Sequence, residues 1–219
     1  MSSSCAAGPS ARSFLPIAML SFANEPQTLL DSELGVVRYF PNCIAEEVAA
    51  EAFEILLAEV PWESHRRQMY DREVDVPRLT AMFDLNADNV PNPIASVRGI
   101  VETLSGHAFN SAGLNLYRNG HDSVAPHNDK LHTLAKGAPI ALLSLGATRR
   151  FTLRTKEQPK RHLDLDLESG SLLVMSYETQ LHLDHGVPKT KQAVGPRVSV
   201  VYRDRPEGFR DRYSFHEKK

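Results

Sequence analysis

The 219-residue chain has two cysteines, Cys5 and Cys43. That is too few for a disulfide framework or a four-thiolate zinc site, and such usage implies a reducing compartment. No apolar run reaches the roughly 18–20 residues of a membrane-spanning helix, so no membrane association is expected. Charge of one sign is not in excess either. Lys and Arg number 25 against 27 Asp and Glu, a net charge of −2, which excludes the global basic field of a simple nucleic-acid coat protein. Internal repeats and low-complexity tracts are missing as well. What remains is 42% hydrophobic and 24% charged residues, enough for a substantial core and against wholesale disorder. One domain over 21–219 is expected, a monomer in the cytoplasm (or the nucleus of a eukaryote), behind a disordered leader at 1–20. The stretch "SFLPIAMLSFA" (13–23) faintly resembles a signal-peptide core. Its proline, single preceding positive charge and poor cleavage box favour a leader, with Met19 as an alternative start.

Positive charge is clustered locally, in "SHRRQ" (64–68), "TRRFTLRTKEQPKRH" (148–162), "PKTK" (188–191) and "RDRPEGFRDR" (203–212). Each cluster reads equally well as a solvated surface patch. Apolar residues at Val48, Phe53, Leu56 and Leu57, ending at Pro61, predict an amphipathic helix over 43–60. A second is predicted over 92–106, with Asn92 as cap, Pro93 in the first turn, Ile94, Val97, Val101 and Leu104 on one face, and Gly106 closing it. Both should pack on one face of a sheet. From residue 112 onward short apolar runs alternate with turn residues, including Asn119-Gly120, which favours a tight turn. "HLDLDLE" puts Leu163, Leu165 and Leu167 on one face. About seven such strands predict an antiparallel sandwich or jelly-roll barrel. The expected fold is mostly β with flanking helices (α+β), with a helical and lid part over 21–110 and the double-stranded β-helix core over 111–205.

In "APHNDKL" (125–131), His127 and Asp129 are two residues apart and would share a face of an extended strand. One histidine from a distant strand would complete a 2-His-1-carboxylate set with open positions, the signature of non-haem Fe(II) oxygenases. Alone, the pair is weak, because "HLDH" supplies another at His182 and Asp184. His185 is the favoured third ligand, since Gly186-Val187-Pro188 would end the strand and permit close backbone approach. His182 then faces outward or supports. Arg197 and Arg203, six residues apart, share a face of the last predicted strand. A guanidinium inside a barrel is costly unless paired, and its planar fork suits a carboxylate.

Taken in order, "FNSAGLNLYRNGHDSVAPHND", "PIALLSLGATRRFTLR", "GSLLVMSYETQLHLDHGVPK" and "PRVSVVYR" resemble the AlkB family of Fe(II)- and 2-oxoglutarate-dependent dioxygenases. "VPRLTAMF" (76–83) resembles the family's substrate-side segment, so the likeness covers residues 60–205. The resemblance implies that His127, Asp129 and His185 ligate Fe(II), and that Arg197 pairs with the distal carboxylate of 2-oxoglutarate. It implies that Asn115 and Tyr117 help hold that cosubstrate and that Arg203, near the cosubstrate and the substrate side, is a catalytic and cosubstrate-binding residue. Ser199 stands where the family often has asparagine. The implied reaction consumes O2 and 2-oxoglutarate and removes N-alkyl groups from bases in alkylated DNA or RNA. A base would have to leave the stack to reach such a metal, with basic patches gripping the phosphates.

Two positions after the metal aspartate, DNA-repair members commonly carry an acid that meets the exocyclic amino group of the base; this chain has Leu131, preceded by Lys130. Leucine cannot accept that hydrogen bond. Ala125 and Pro126 also replace a bulkier residue. The alternative is the same iron chemistry on a protein side chain or small metabolite. A binding module without turnover is disfavoured by the intact triad with Arg197, and a zinc hydrolase by the closing arginine pair. Tyr70, Arg78 and Phe83 are candidates for the substrate surface, with Tyr70 or Met69 at the tip of a hairpin. Phe83 and Met82 suit packing under the helices equally well, and Trp62 after Pro61 reads as a core anchor rather than a base-stacking platform.

Overall fold

The computed structural model describes residues 25–69 and 72–209. The leader and its signal-like stretch, Cys5, Met19 and Tyr70 lie outside the described residues. Strands form two antiparallel sheets. The larger runs in the order β1 (Gln27–Ser32), β2 (Gly35–Phe40), β10 (Ser171–Met175), β7 (Ile140–Gly146), β12 (Arg197–Arg203), β5 (Ser111–Tyr117), β4 (Arg72–Asp84), β3 (Glu63–Met69). The smaller runs β6 (Val124–His127), β11 (Leu183–Val187), β8 (Arg149–Thr155), β9 (His162–Leu167). This is the expected β-rich jelly-roll with flanking helices.

Helices α1 (Glu46–Glu59) and α2 (Asn92–Ser105) cover one face of the large sheet. Ala49, Ala52 and Leu56 on α1, and Ile94, Val97 and Val101 on α2, recur at helical spacing and are buried there. Burying each large aliphatic side chain contributes about 1.5–3 kcal/mol. Gly106 closes α2 in the left-handed conformation, φ 71°, which costs glycine little. The start of α2 differs from expectation. Pro91 is the cap, and Asn92 is already helical, its side chain accepting from the Ser96 hydroxyl.

The opposite face of the large sheet meets the small one. Leu142, Leu173, Met175 and Val201 pack with Phe151, Leu153 and Leu167 of the small sheet. The Leu163, Leu165 and Leu167 side chains all belong to that cluster, as their alternation predicts. A polar row crosses this apolar surface. Glu63 pairs in register with Thr80, Thr80 with Asn115, Asn115 with Ser199, Ser199 with Ser144, and Ser144 with Ser171. In the next row Tyr117 faces Arg197, which faces Gly146.

Several expectations need correction. The helical and lid part over 21–110 also supplies strands, since β1, β2, β3 and β4 all lie in the eight-stranded sheet. β1 and β2 escape the sequence pattern because each is only six residues long, and β1 is largely exposed. The stretch read as one strand, "LHLDHGV", begins inside a short helix α3 (Thr179–His182) before β11 starts. The tight turn expected at Asn119-Gly120 is present, the Asp122 N–H donating to the Asn119 carbonyl at 3.3 Å. A Cβ on Gly120 would lie 2.5 Å from the Thr190 carbonyl oxygen, so close backbone approach is what excludes a side chain there. Part of the basic cluster 148–162 is engaged within the chain. Arg150 pairs with Asp166 at 2.9 Å, Arg154 with Asp184 at 3.4 Å, and Lys156 Nζ donates to the Gln180 carbonyl at 2.6 Å. Among the described residues no helix is long and apolar enough to cross a membrane.

Candidate metal centre

His127 and His185 are directly opposed in the β6–β11 ladder, their ring centroids 4.6 Å apart. Gly186 makes the approach of the two strands possible, since a Cβ there would sit 2.8 Å from the Val124 carbonyl oxygen. β6 ends at His127, so Asp129 is not carried by strand alternation. Two other contacts hold it. Its backbone N–H donates to Gln180 Oε1 at 3.0 Å, and Arg203 donates through Nε to Oδ2 at 2.5 Å and through Nη2 to Oδ1 at 3.3 Å. Ligand atoms of His127, Asp129 and His185 all lie within 4.8 Å of one another.

The protonation states suit a cation. The nitrogen Nδ1 of His127 is 2.9 Å from the Ala125 carbonyl oxygen, which can only accept, so Nδ1 carries a proton and Nε2 is the nitrogen that offers the lone pair in the neutral ring. His185 stacks on Phe151, centroids 5.6 Å apart, and burial with help from repulsion by His127 pulls its pKa down to about 4. It is neutral at pH 7. Burial would raise the pKa of Asp129, but attraction and hydrogen bonding by Arg203 outweigh it and hold the carboxyl well below the ordinary range.

Arg197 is fully buried. Its Nε donates to Ser144 Oγ at 3.0 Å, while Nη1 and Nη2 have no hydrogen-bond partner among the described residues. Burial pulls its pKa down to about 10, partly offset by Tyr117, whose ring centroid is 5.3 Å from the guanidinium carbon. The group is therefore cationic at neutral pH with two orphaned donors, each costing about 1–3 kcal/mol while unmet. Asn115 links two neighbours, accepting from Arg78 Nε at 2.8 Å and donating to Ser199 Oγ at 3.5 Å. Gly113 leaves room for Arg203, since a Cβ there would be 3.1 Å from Nη1.

A cavity of about 350 Å³ is lined by all three candidate ligands, by Arg203, Asn115 and Ser199, and by the β3–β4 hairpin through Glu63, His65, Arg78 and Met82. Arg197 and Tyr117 stand one register row beyond Ser199 and Asn115. Of the candidates for the substrate surface, Arg78 lines the cavity, and Tyr70 lies outside the described residues. Phe83 is corrected. It is 3% exposed in the helix-side core, because Met82 takes the cavity side and adjacent strand residues alternate. The sequence reading passed over Gln180, Ser144, Glu63 and His65. Ser144 left a usable signal, a lone hydroxyl in the apolar run "IALLSLG". Gln180 left none, since its role depends on a contact with residue 129 across the fold.

Comparison with known proteins agrees with this geometry. A family model described as the 2OG-Fe(II) oxygenase superfamily matches residues 82–206. Human "Alpha-ketoglutarate-dependent dioxygenase alkB homolog 3" is 34% identical over 193 residues, covering 78% of this chain and 68% of that protein. The chain belongs to the AlkB family of 2OG-Fe(II) oxygenases. The bovine alkB homolog 3 is also 34% identical, over 64% of its length, and bovine "DNA oxidative demethylase ALKBH2" is 39% identical over 114 residues, 49% of this chain and 41% of that protein. The solved structure titled "The structure of OsALKBH1" superposes with a TM-score of 0.59 at 14% identity, covering 82% of this chain and all of that one, and shares the fold. The cofactors of this AlkB-family chain are Fe(II), 2-oxoglutarate and O2. Its residues fit them. Two imidazoles and one carboxylate form a donor set with open positions, and the orphaned Arg197 donors answer a carboxylate.

Proposed function

We propose that this enzyme oxidatively removes N-linked alkyl groups from bases in DNA or RNA. The observation that carries the reading is the His127, Asp129 and His185 cluster together with the buried cationic guanidinium of Arg197, whose two terminal nitrogens have no hydrogen-bond partner among the described residues. The names of relatives such as "DNA oxidative demethylase ALKBH2" support the choice of nucleic acid.

When bound, Fe(II) with 2-oxoglutarate and O2 supplies the oxidation of a substrate C–H bond, leaving succinate and carbon dioxide. His127 Nε2, His185 and Asp129 would hold the metal. Arg197, kept in place by Ser144, would pair with the far carboxylate of 2-oxoglutarate, with Asn115, Tyr117 and Ser199 beside it. Arg203 fixes the orientation of the Asp129 carboxylate and keeps it ionised. Met82 and Val76 present apolar surface on the hairpin side of the cavity, limiting water around the reacting group. A flipped base would enter between that hairpin and the ligands, near Arg78. Its hydroxylated N-alkyl group then leaves as an aldehyde and the base is restored.

Leu131 favours a second reading, the same chemistry on a protein or small-molecule substrate. One experiment separates them. The anaerobically purified enzyme, given Fe(II), 2-oxoglutarate and air, is assayed for succinate and formaldehyde with methylated single- and double-stranded oligonucleotides. Formaldehyde release supports dealkylation of nucleic acid. Succinate without formaldehyde from any oligonucleotide moves the enzyme to the second reading, and no succinate at all refutes both.

A further inference from the structure

The dealkylase reading needs a group that recognises the base, and position 131 does not supply one. Leu131 begins a short 3-10 turn and is not among the residues lining the cavity. Two carboxylates do line it, Asp129 and Glu63. Asp129 is committed to Arg203 and the ligand cluster. Glu63 touches no lysine or arginine among the described residues. Its side chain is 61% exposed and sits 3.7 Å from His65 Nε2, which is hydrogen-bonded to Thr80 Oγ1 at 2.8 Å. Glu63, His65 and Thr80 thus form a polar group on the hairpin wall that neither metal nor cosubstrate requires. Glu63 also ends the transverse row that passes through Thr80 and Asn115 to Ser199, so the row runs from the hairpin to the cosubstrate residues.

The chemistry of the substrate says what a carboxylate there would meet. An alkyl group on adenine N1 or cytosine N3 leaves the ring cationic, with an amino group beside it. An alkyl group on thymine N3 leaves the ring neutral. A carboxylate accepts from the amino group and attracts the cation, so it favours the first class over the second.

Resting on the dealkylase reading, we propose that Glu63, oriented by His65, recognises the cationic N-alkylated base, a role carried by β3 because residue 131 is a leucine. The test compares kcat/KM for formaldehyde release from single-stranded oligonucleotides bearing 1-methyladenine, 3-methylcytosine or 3-methylthymine, for the full-length enzyme and Glu63→Gln. The expected result is a fall of at least about tenfold in the cationic-to-neutral ratio, expressed through KM. His65→Ala should shift the ratio in the same direction by less. An unchanged ratio in Glu63→Gln, or an equal loss on all three lesions, overturns the assignment. Failure of the dealkylase reading has a different signature, visible before any substitution. The wild-type enzyme would then release no formaldehyde from any oligonucleotide, which removes the base from this cavity and the assignment with it.

Discussion

Strands β5 and β12 present two unlike surfaces to the two sides of the large sheet. Toward the helices they turn Leu114, Leu116, Val198 and Val200, which pack with Leu56 and Ile94. Toward the small sheet the alternate residues are Ser111, Gly113, Asn115, Tyr117, Arg197, Ser199, Val201 and Arg203. The first surface is complete in itself. The second holds a buried cation with open donors and a carboxylate kept ionised by a neighbouring guanidinium. The contrast teaches where to look for chemistry in this fold: on the side where hydrogen-bonding capacity is left over.

The most severe way to break the second surface is His127→Ala or Asp129→Ala. Either should abolish succinate formation, while thermal unfolding stays cooperative because neither belongs to an apolar cluster. Retained turnover would discard the ligand assignment. Arg197→Ala comes next. Losing one partner of a buried charge pair costs about 2–5 kcal/mol, so the 2-oxoglutarate KM should rise roughly thirtyfold or more, with Fe(II) affinity little altered. Arg197→Met should meanwhile unfold no earlier than wild type when 2-oxoglutarate is absent, since it removes two unmet donors. A clear loss of stability would show that the guanidinium already has its partners.

The first surface should respond in the opposite sense. Leu56→Ala or Ile94→Ala should lower unfolding free energy in urea by about 2–5 kcal/mol, with kcat at low temperature nearly unchanged. Gln180→Ala sharpens the comparison from within the site. It removes the acceptor for the Asp129 N–H, and Fe(II) affinity measured by titration should fall roughly 10–100-fold. The smallest effect is expected at Asp122, whose carboxylate accepts from the Arg118 backbone N–H and side chain. Burial would raise its pKa, but Arg118 outweighs that and lowers it. A carboxyl with a lowered folded-state pKa stabilises above the unfolded value, and the contribution disappears as pH falls. Asp122→Asn should therefore cost about 1 kcal/mol at pH 7, Arg118 being half exposed, and nothing once the pH is well below about 4.

What the sequence showed followed from short-range geometry. A strand period of two puts Arg197 and Arg203 on one face, and the glycine after His185 favours it over His182. Strand alternation accounts for the pair His127 and Asp129 only in part, since the strand stops at His127 and Asp129 is oriented by Gln180 and Arg203. Contacts of that kind join residues 51 and 74 positions apart, and no local period encodes them. Phe83 went astray for the converse reason. "TAMF" fixes that neighbours alternate but not which neighbour faces inward. The pairing of β2 with β10 likewise depends on a partner far along the chain.

The position of β3 at the border of the large sheet has one more consequence. Having a ladder neighbour on a single flank, it can accept new side chains, or shift outward to admit a bulkier guest, while the inner strands keep their registry. Preference among lesions can then diversify at the periphery of the barrel without disturbing the oxidising centre.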